Sequence, residues 1–100
     1  MIDLTPQERN ALERLIRLAQ VDTGQGRKVA DFLLAWWNAQ EFGGFDLTHL
    51  WGVDDDVAVD MIEVFKLVAI SRSYPDTLGY SAQFAQIVDL WQRQPTEAQP

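Results

Sequence analysis

The chain has 100 residues, a net charge of −7 and no cysteine. That length buries one core without a disulfide or metal staple, and the missing thiols exclude thiolate catalysis, disulfides and zinc–thiolate sites. The acidic balance opposes binding to a phosphate backbone, and no apolar run approaches the ~20 residues of a membrane span.

Hydrophobic residues make up 47% of the chain, which excludes a disordered polypeptide. No basic segment followed by an apolar one marks a signal peptide, so a cytoplasmic protein is expected.

Thr5-Pro6-Gln7-Glu8 reads as a helix start. Thr5 is the expected N-cap, Pro6 suits the first helical position, and Glu8 closes a capping box. Leu12, Leu15, Ile16 and Ala19 follow at helical spacing, predicting a first helix from about Pro6 to Val21. Asp22 to Gly26 carries two glycines in three residues and is expected to be a loop. Arg27 and Lys28 then stand near the start of a second helix, where cations oppose the helix dipole unless they serve a partner. With backbone N–H groups, this stretch resembles an anion cradle, but it lacks the spacing of a phosphate-binding P-loop.

Val29 to Phe45 is the most apolar stretch and includes the adjacent Trp36 and Trp37. At about 100° per residue its apolar arc spans roughly 200°. It is expected to be the central helix of the domain, stopped by Gly43 and Gly44. The two indoles are expected to meet different neighbours. Phe42 and Phe45 flank the glycines, and at least one is expected at the surface.

Phe45 to Gly52 reads as a short helix capped by Asp46, with Leu47, Leu50 and Trp51 turned inward. Its His49 is the only histidine, placed so that Asp46 can hydrogen-bond it. Asp55 to Ser71 reads as a long helix with carboxylates in its first turn. Val57, Met61, Val64, Phe65 and Val68 form one apolar face, while Asp56, Asp60 and Glu63 form an acidic one. Leu67 and Ile70 add apolar groups on the side opposite Phe65, so the second half is apolar nearly all round. Burial on both sides or a homodimer would cover it. Ser73 to Gly79 is the longest irregular stretch, and Ser81 is the expected cap of a last helix from about Ala82 to Arg93. Residues 94–100 read as a flexible tail.

The sum is an all-α fold: a compact irregular bundle of four main helices plus one short helix, in a single domain over residues 1–93. The expected core holds Leu15, Val29, Leu33, Trp36, Phe65, Val68, Phe84, Ile87 and Trp91.

Several segments together resemble a known family. They are Leu12-Glu13-Arg14-Leu15, Asp22-Thr23-Gly24-Gln25, Val29 to Ala39 with its Ala-Trp-Trp-Asn centre, Gly44-Phe45-Asp46-Leu47 and Ser73-Tyr74-Pro75. The resemblance is to small uncharacterised acidic helical proteins of proteobacteria, often encoded in accessory or mobile DNA. It implies a bacterial cytoplasmic protein and brings no catalytic residue.

No catalytic set, metal site or cofactor motif assembles from these residues. Asp56, Asp60 and Glu63 share a helix face but lack the glycine and spacing of a calcium loop. The expectation is a non-enzymatic protein-interaction module with an unknown protein partner, no direct nucleic-acid contact and no membrane contact. The candidate contact residues are Arg27, Lys28, Phe42, Phe45, Asp55, Asp56, Asp60, Glu63 and Tyr74. The alternatives are an acidic, nucleic-acid-mimicking inhibitor of a DNA-binding protein, and a small-ligand binder or small enzyme.

Overall fold

The first helix, α1 (Pro6–Ala19), starts at its expected capping box. In the computed structural model, which describes residues 4–91, Thr5 Oγ1 accepts the Glu8 N–H at 3.1 Å and Glu8 Oε1 accepts the Thr5 N–H at 2.9 Å. Ala11, Leu12, Leu15, Ile16 and Ala19 are buried.

The second helix, α2 (Gly24–Phe42), begins earlier than its apolar run suggests. Thr23 is its N-cap, with Oγ1 accepting the Gly26 N–H at 2.8 Å. Gly24 and Gly26 are therefore helical rather than part of the expected loop. Gly26 is required by proximity: a Cβ there would run into the carbonyl oxygens of Leu18 and Val21. Val29, Ala30, Leu33 and Leu34 are buried. The helical backbone breaks at Asn38 (φ −165°, ψ 90°), where Asn38 Oδ1 accepts the Glu41 N–H at 3.1 Å and restarts a last turn. Gly43 closes that turn at φ 97°, a region that favours glycine, and the helix stops at Phe42, short of Phe45.

Leu47–Gly52 is a 3₁₀ helix. The third α-helix, α3 (Asp55–Ser71), has the expected bounds. Arg72, its C-cap, is left-handed at φ 52°. The last helix, α4 (Ser81–Trp91), includes Ser81 instead of being capped by it, and the Tyr80 carbonyl accepts the Phe84 N–H at 3.0 Å. Residues 92 and 93, and the expected tail from 94, lie outside the described residues.

Side-chain contacts fix the directions. Gln7 meets Glu63 and Arg14 meets Asp60, so α1 and α3 are antiparallel. Arg9 reaches Tyr80 and Ala19 reaches Trp91, so α4 runs with α1. Gln25 meets Asp54 and Trp36 meets Ser73, so α2 and α3 run alongside in one direction.

Helix α1 packs against α2, α3 and α4, while α2 packs mainly against α1 and α4. The hub is α1, not the tryptophan-bearing helix expected at the centre. A short amphipathic helix is covered on several sides when the chain returns to it twice, which its own wheel does not reveal. The architecture is all-α, an irregular bundle of four helices plus a short one, with no strand among the described residues. Among those residues no helix is long and apolar enough to cross a membrane.

Of the expected core, Leu15, Val29, Leu33, Phe84, Ile87 and Trp91 are buried. Trp36 and Val68 are half-buried, and Phe65 is 61% exposed. Leu67 is buried instead, together with Met61 and Val64. The buried arc of α3 is rotated toward Leu67 because α1 covers that side, and Ile70 is 76% exposed.

Candidate functional site

The acidic face of α3 is turned toward α1. Asp60 takes two hydrogen bonds from Arg14, both at 2.8 Å, and its side chain is only 14% exposed. Its hydrogen bond and charge hold the Arg14 guanidinium proton more firmly than usual, with Asp56 adding to the field. Glu63 accepts from Gln7 at 3.4 Å and lies 3.6 Å from Lys66. Among the expected docking carboxylates, Asp60 and Glu63 thus join helices within the fold, while Asp55 and Asp56 remain exposed at the start of α3. Among the described residues no three histidine, aspartate or glutamate side chains stand close enough to hold a metal ion.

Arg27 is also engaged. It pairs with Asp31 at 3.3 Å and lies over the Trp91 ring at 5.3 Å from its centroid, a cation–π contact. The stem of Lys28 lies beside Gly52 at the end of the 3₁₀ helix. Phe42 and Phe45 are both half-buried, against the expectation that one is exposed. Phe42 rests on Trp37 and Phe45 meets Phe32 edge-on at 5.2 Å.

His49 does not bond to the Asp46 carboxylate. That carboxylate accepts the Thr48 hydroxyl and N–H at 2.8 and 2.9 Å, which holds its pKa below the usual aspartate value. The His49 ring stands edge-on to Phe45, and its shielded Nδ1 makes no hydrogen bond among the described residues.

The loop before α4 is pinned by one tyrosine and not the other. Tyr80 is buried, donates to Glu13 at 2.9 Å and accepts from Arg9 at 3.1 Å. Burial, followed by the hydrogen bond to Glu13, pushes its pKa up. Tyr74 is 62% exposed and borders an open cleft of about 530 Å³ with Trp36, Asn38 and Asp76.

The tryptophans divide in the same way. Trp36 Nε1 donates to the Ser73 carbonyl at 2.9 Å, and Trp91 Nε1 to the Ala19 carbonyl at 2.6 Å. Trp36 and Trp37 both stand edge-on to Phe84, so they share one neighbour where different ones were expected. Trp51 is 84% exposed, contrary to its expected inward packing. The 3₁₀ winding is the reason. At ~3 residues per turn Leu47 and Leu50 eclipse, and Trp51 swings about 120° from them.

What remains is an apolar surface between α2, the 3₁₀ helix and α3. Two adjoining hollows of about 250 Å³ share Phe32, Phe45, Leu47 and Phe65. One extends to Trp36 and Val68, the other to Leu50, Met61 and Ile62. Leu47, Ile62 and Phe65 are 65%, 54% and 61% exposed, and Val59 continues the strip along α3 at 63%. From this surface, sequence reasoning named only Phe45 as a contact residue and read Leu47, Phe65 and Val68 as inward-facing. The apolar second half of α3 did signal an uncovered side, but through Leu67 and Ile70 rather than through Ile62 and Phe65.

A profile of DUF7673, a family of unknown function, matches residues 9–92. No curated protein matches the chain, and no solved structure does either.

Proposed function

The chain belongs to DUF7673, a family of unknown function, and from that premise we propose that it works by binding protein rather than by catalysis. The observation that carries this reading is the apolar surface of Leu47, Ile62 and Phe65, each more than half exposed and lining two shallow apolar hollows, with Val59 exposed further along α3. Contiguous exposed apolar surface costs burial energy, and on a small acidic protein it marks a contact site. The setting we infer is the bacterial cytoplasm, as an accessory protein of mobile DNA, supported by the sequence resemblance around Trp36 and Trp37. Identification of the neighbouring genes tests that setting.

The acidic-mimic reading has less support, because Asp60 and Glu63 are occupied by Arg14, Gln7 and Lys66. A ligand-binding reading would use the cleft beside Tyr74, but Trp36 already donates its indole N–H to Ser73 there. The test is affinity capture from the cells that make the protein, with the parent and Phe65→Glu run in parallel. The expected result is a protein held by the parent and lost with the variant. Identical captures by both would overturn the role of this surface.

A further inference from the structure

The outer line of α3 carries its own complement. Asp55, Ile62 and Lys66 are separated by seven and four residues, or about two turns and one turn, and Val59 lies beside them. All four are exposed. A negative charge thus stands at one end of an apolar row and a positive charge at the other. We propose that two copies of the chain pair along this line, α3 against α3 and antiparallel, about a two-fold axis. The proposal rests on the protein-binding reading above and names the partner as a second copy.

Charge selects the orientation. When the axis passes the peptide between Asp60 and Met61, Asp55 of each copy lies level with Lys66 of the other, and Val59 with Ile62. Each attraction then occurs twice, as an isologous interface requires. A parallel pairing would set Asp55 against Asp55 and Lys66 against Lys66. Lys66 has a weak intramolecular partner to exchange, since Glu63 is 3.6 Å away and the lysine side chain is 62% exposed. The antiparallel arrangement also opposes the two helix dipoles favourably.

The apolar area suits a small, weak and reversible dimer, with charge setting its register. Leu47, Val59, Ile62, Phe65 and Ile70 are 54–76% exposed. Val59 and Ile62 lie on the line itself, while Phe65 and Ile70 flank it on its two sides, so the interface stays at or below the lower bound of specific ones. The net charge of −7 opposes association, and physiological salt screens that repulsion beyond about 8 Å.

Sedimentation velocity on the full chain from about 5 to 500 μM tests this. The expected result is a shift from monomer to dimer across that range. Ile62→Glu is expected to remain monomeric, with its folding checked by far-UV circular dichroism. Asp55→Lys and Lys66→Asp are each expected to weaken the dimer about tenfold. The double swap is expected to restore it, and its surface positions keep the test valid should Ile62→Glu fail to fold. A parent that is monomeric throughout, or a double swap no better than either single one, would overturn the proposal. A monomeric parent that still captures a different protein through Phe65 would sink the dimer alone and leave the protein-binding reading standing.

Discussion

The two flanks of α1 are built differently. On the α2–α4 flank, large side chains have both their apolar bodies and their polar tips placed. Leu33, Phe84 and Ile87 are fully buried, and Trp91 also closes the last carbonyl of α1. On the α3 flank, the joint to α1 combines an apolar seam of Met61, Val64 and Leu67 with the Arg14–Asp60 ion pair. Beyond that seam, Val59, Ile62, Phe65 and Ile70 face outward. The same kind of residue therefore holds the molecule together on one flank and is spare on the other. Hydrophobicity alone does not distinguish the two, whereas the presence of a second covering helix does.

The sharpest way to break this comparison is a matched pair of truncations. Leu33→Ala is expected to cost about 2–5 kcal/mol, through lost burial and the cavity left behind. Phe65→Ala is expected to stay within about 1 kcal/mol in the monomer, because that ring is 61% exposed. Urea titration of both at low concentration checks the contrast, and equal losses would mean that the two flanks are built alike.

A smaller effect separates the tryptophans. Trp91→Phe keeps most of the ring but removes the donor to Ala19, and is expected to cost about 1–3 kcal/mol. Trp51→Phe is expected to change stability by no more than about 0.5 kcal/mol. Urea midpoints of the two variants decide it.

The smallest effect appears only in alkali. Tyr80 holds its proton more tightly in the folded chain than in the unfolded one. Its contribution is therefore fully present below the unfolded tyrosine pKa of about 10 and declines as pH rises from there toward the raised folded value. The parent is expected to lose stability above about pH 10 more steeply than Tyr80→Phe. Coincident pH profiles in urea titrations would remove Tyr80 from the α1–α4 joint.

The helices were legible because their signals are local. Thr5, Pro6 and Glu8 start α1, and Asp55 to Ser71 shows its period over many turns. The rotation of α3 was not legible. Asp56, Asp60 and Glu63 look like a solvent face, which turns Phe65 inward on paper. Asp60 and Glu63 instead answer Arg14 and Gln7, so their side is covered while Asp56 stays exposed at its edge. The clue lies in α1, where Gln7 and Arg14 are two turns apart and face acidic partners on an antiparallel neighbour. The start of α2 was hidden for a different reason. Gly24 and Gly26 look like a loop, while Gly26 is small because a helix end lies against it. Of the candidate surface, only Phe45 was named from the sequence as a contact residue. Leu47 and Trp51 depend on 3₁₀ rather than α winding, and α-helical spacing misplaces them.

The pairing of the first helix with the last has a consequence for the order of events during synthesis. Arg9 and Glu13 wait for Tyr80, and the Ala19 carbonyl waits for Trp91, each across about seventy residues of chain. At ~5–20 residues per second a ribosome needs roughly 4–14 s to supply those partners. During that interval α1 and α2 can form a hairpin, but the face of each that α4 will cover has nothing to rest on. The nascent chain thus carries an open apolar seam on α1 and α2 until α4 is made, and the arrival of α4 is the step that seals it.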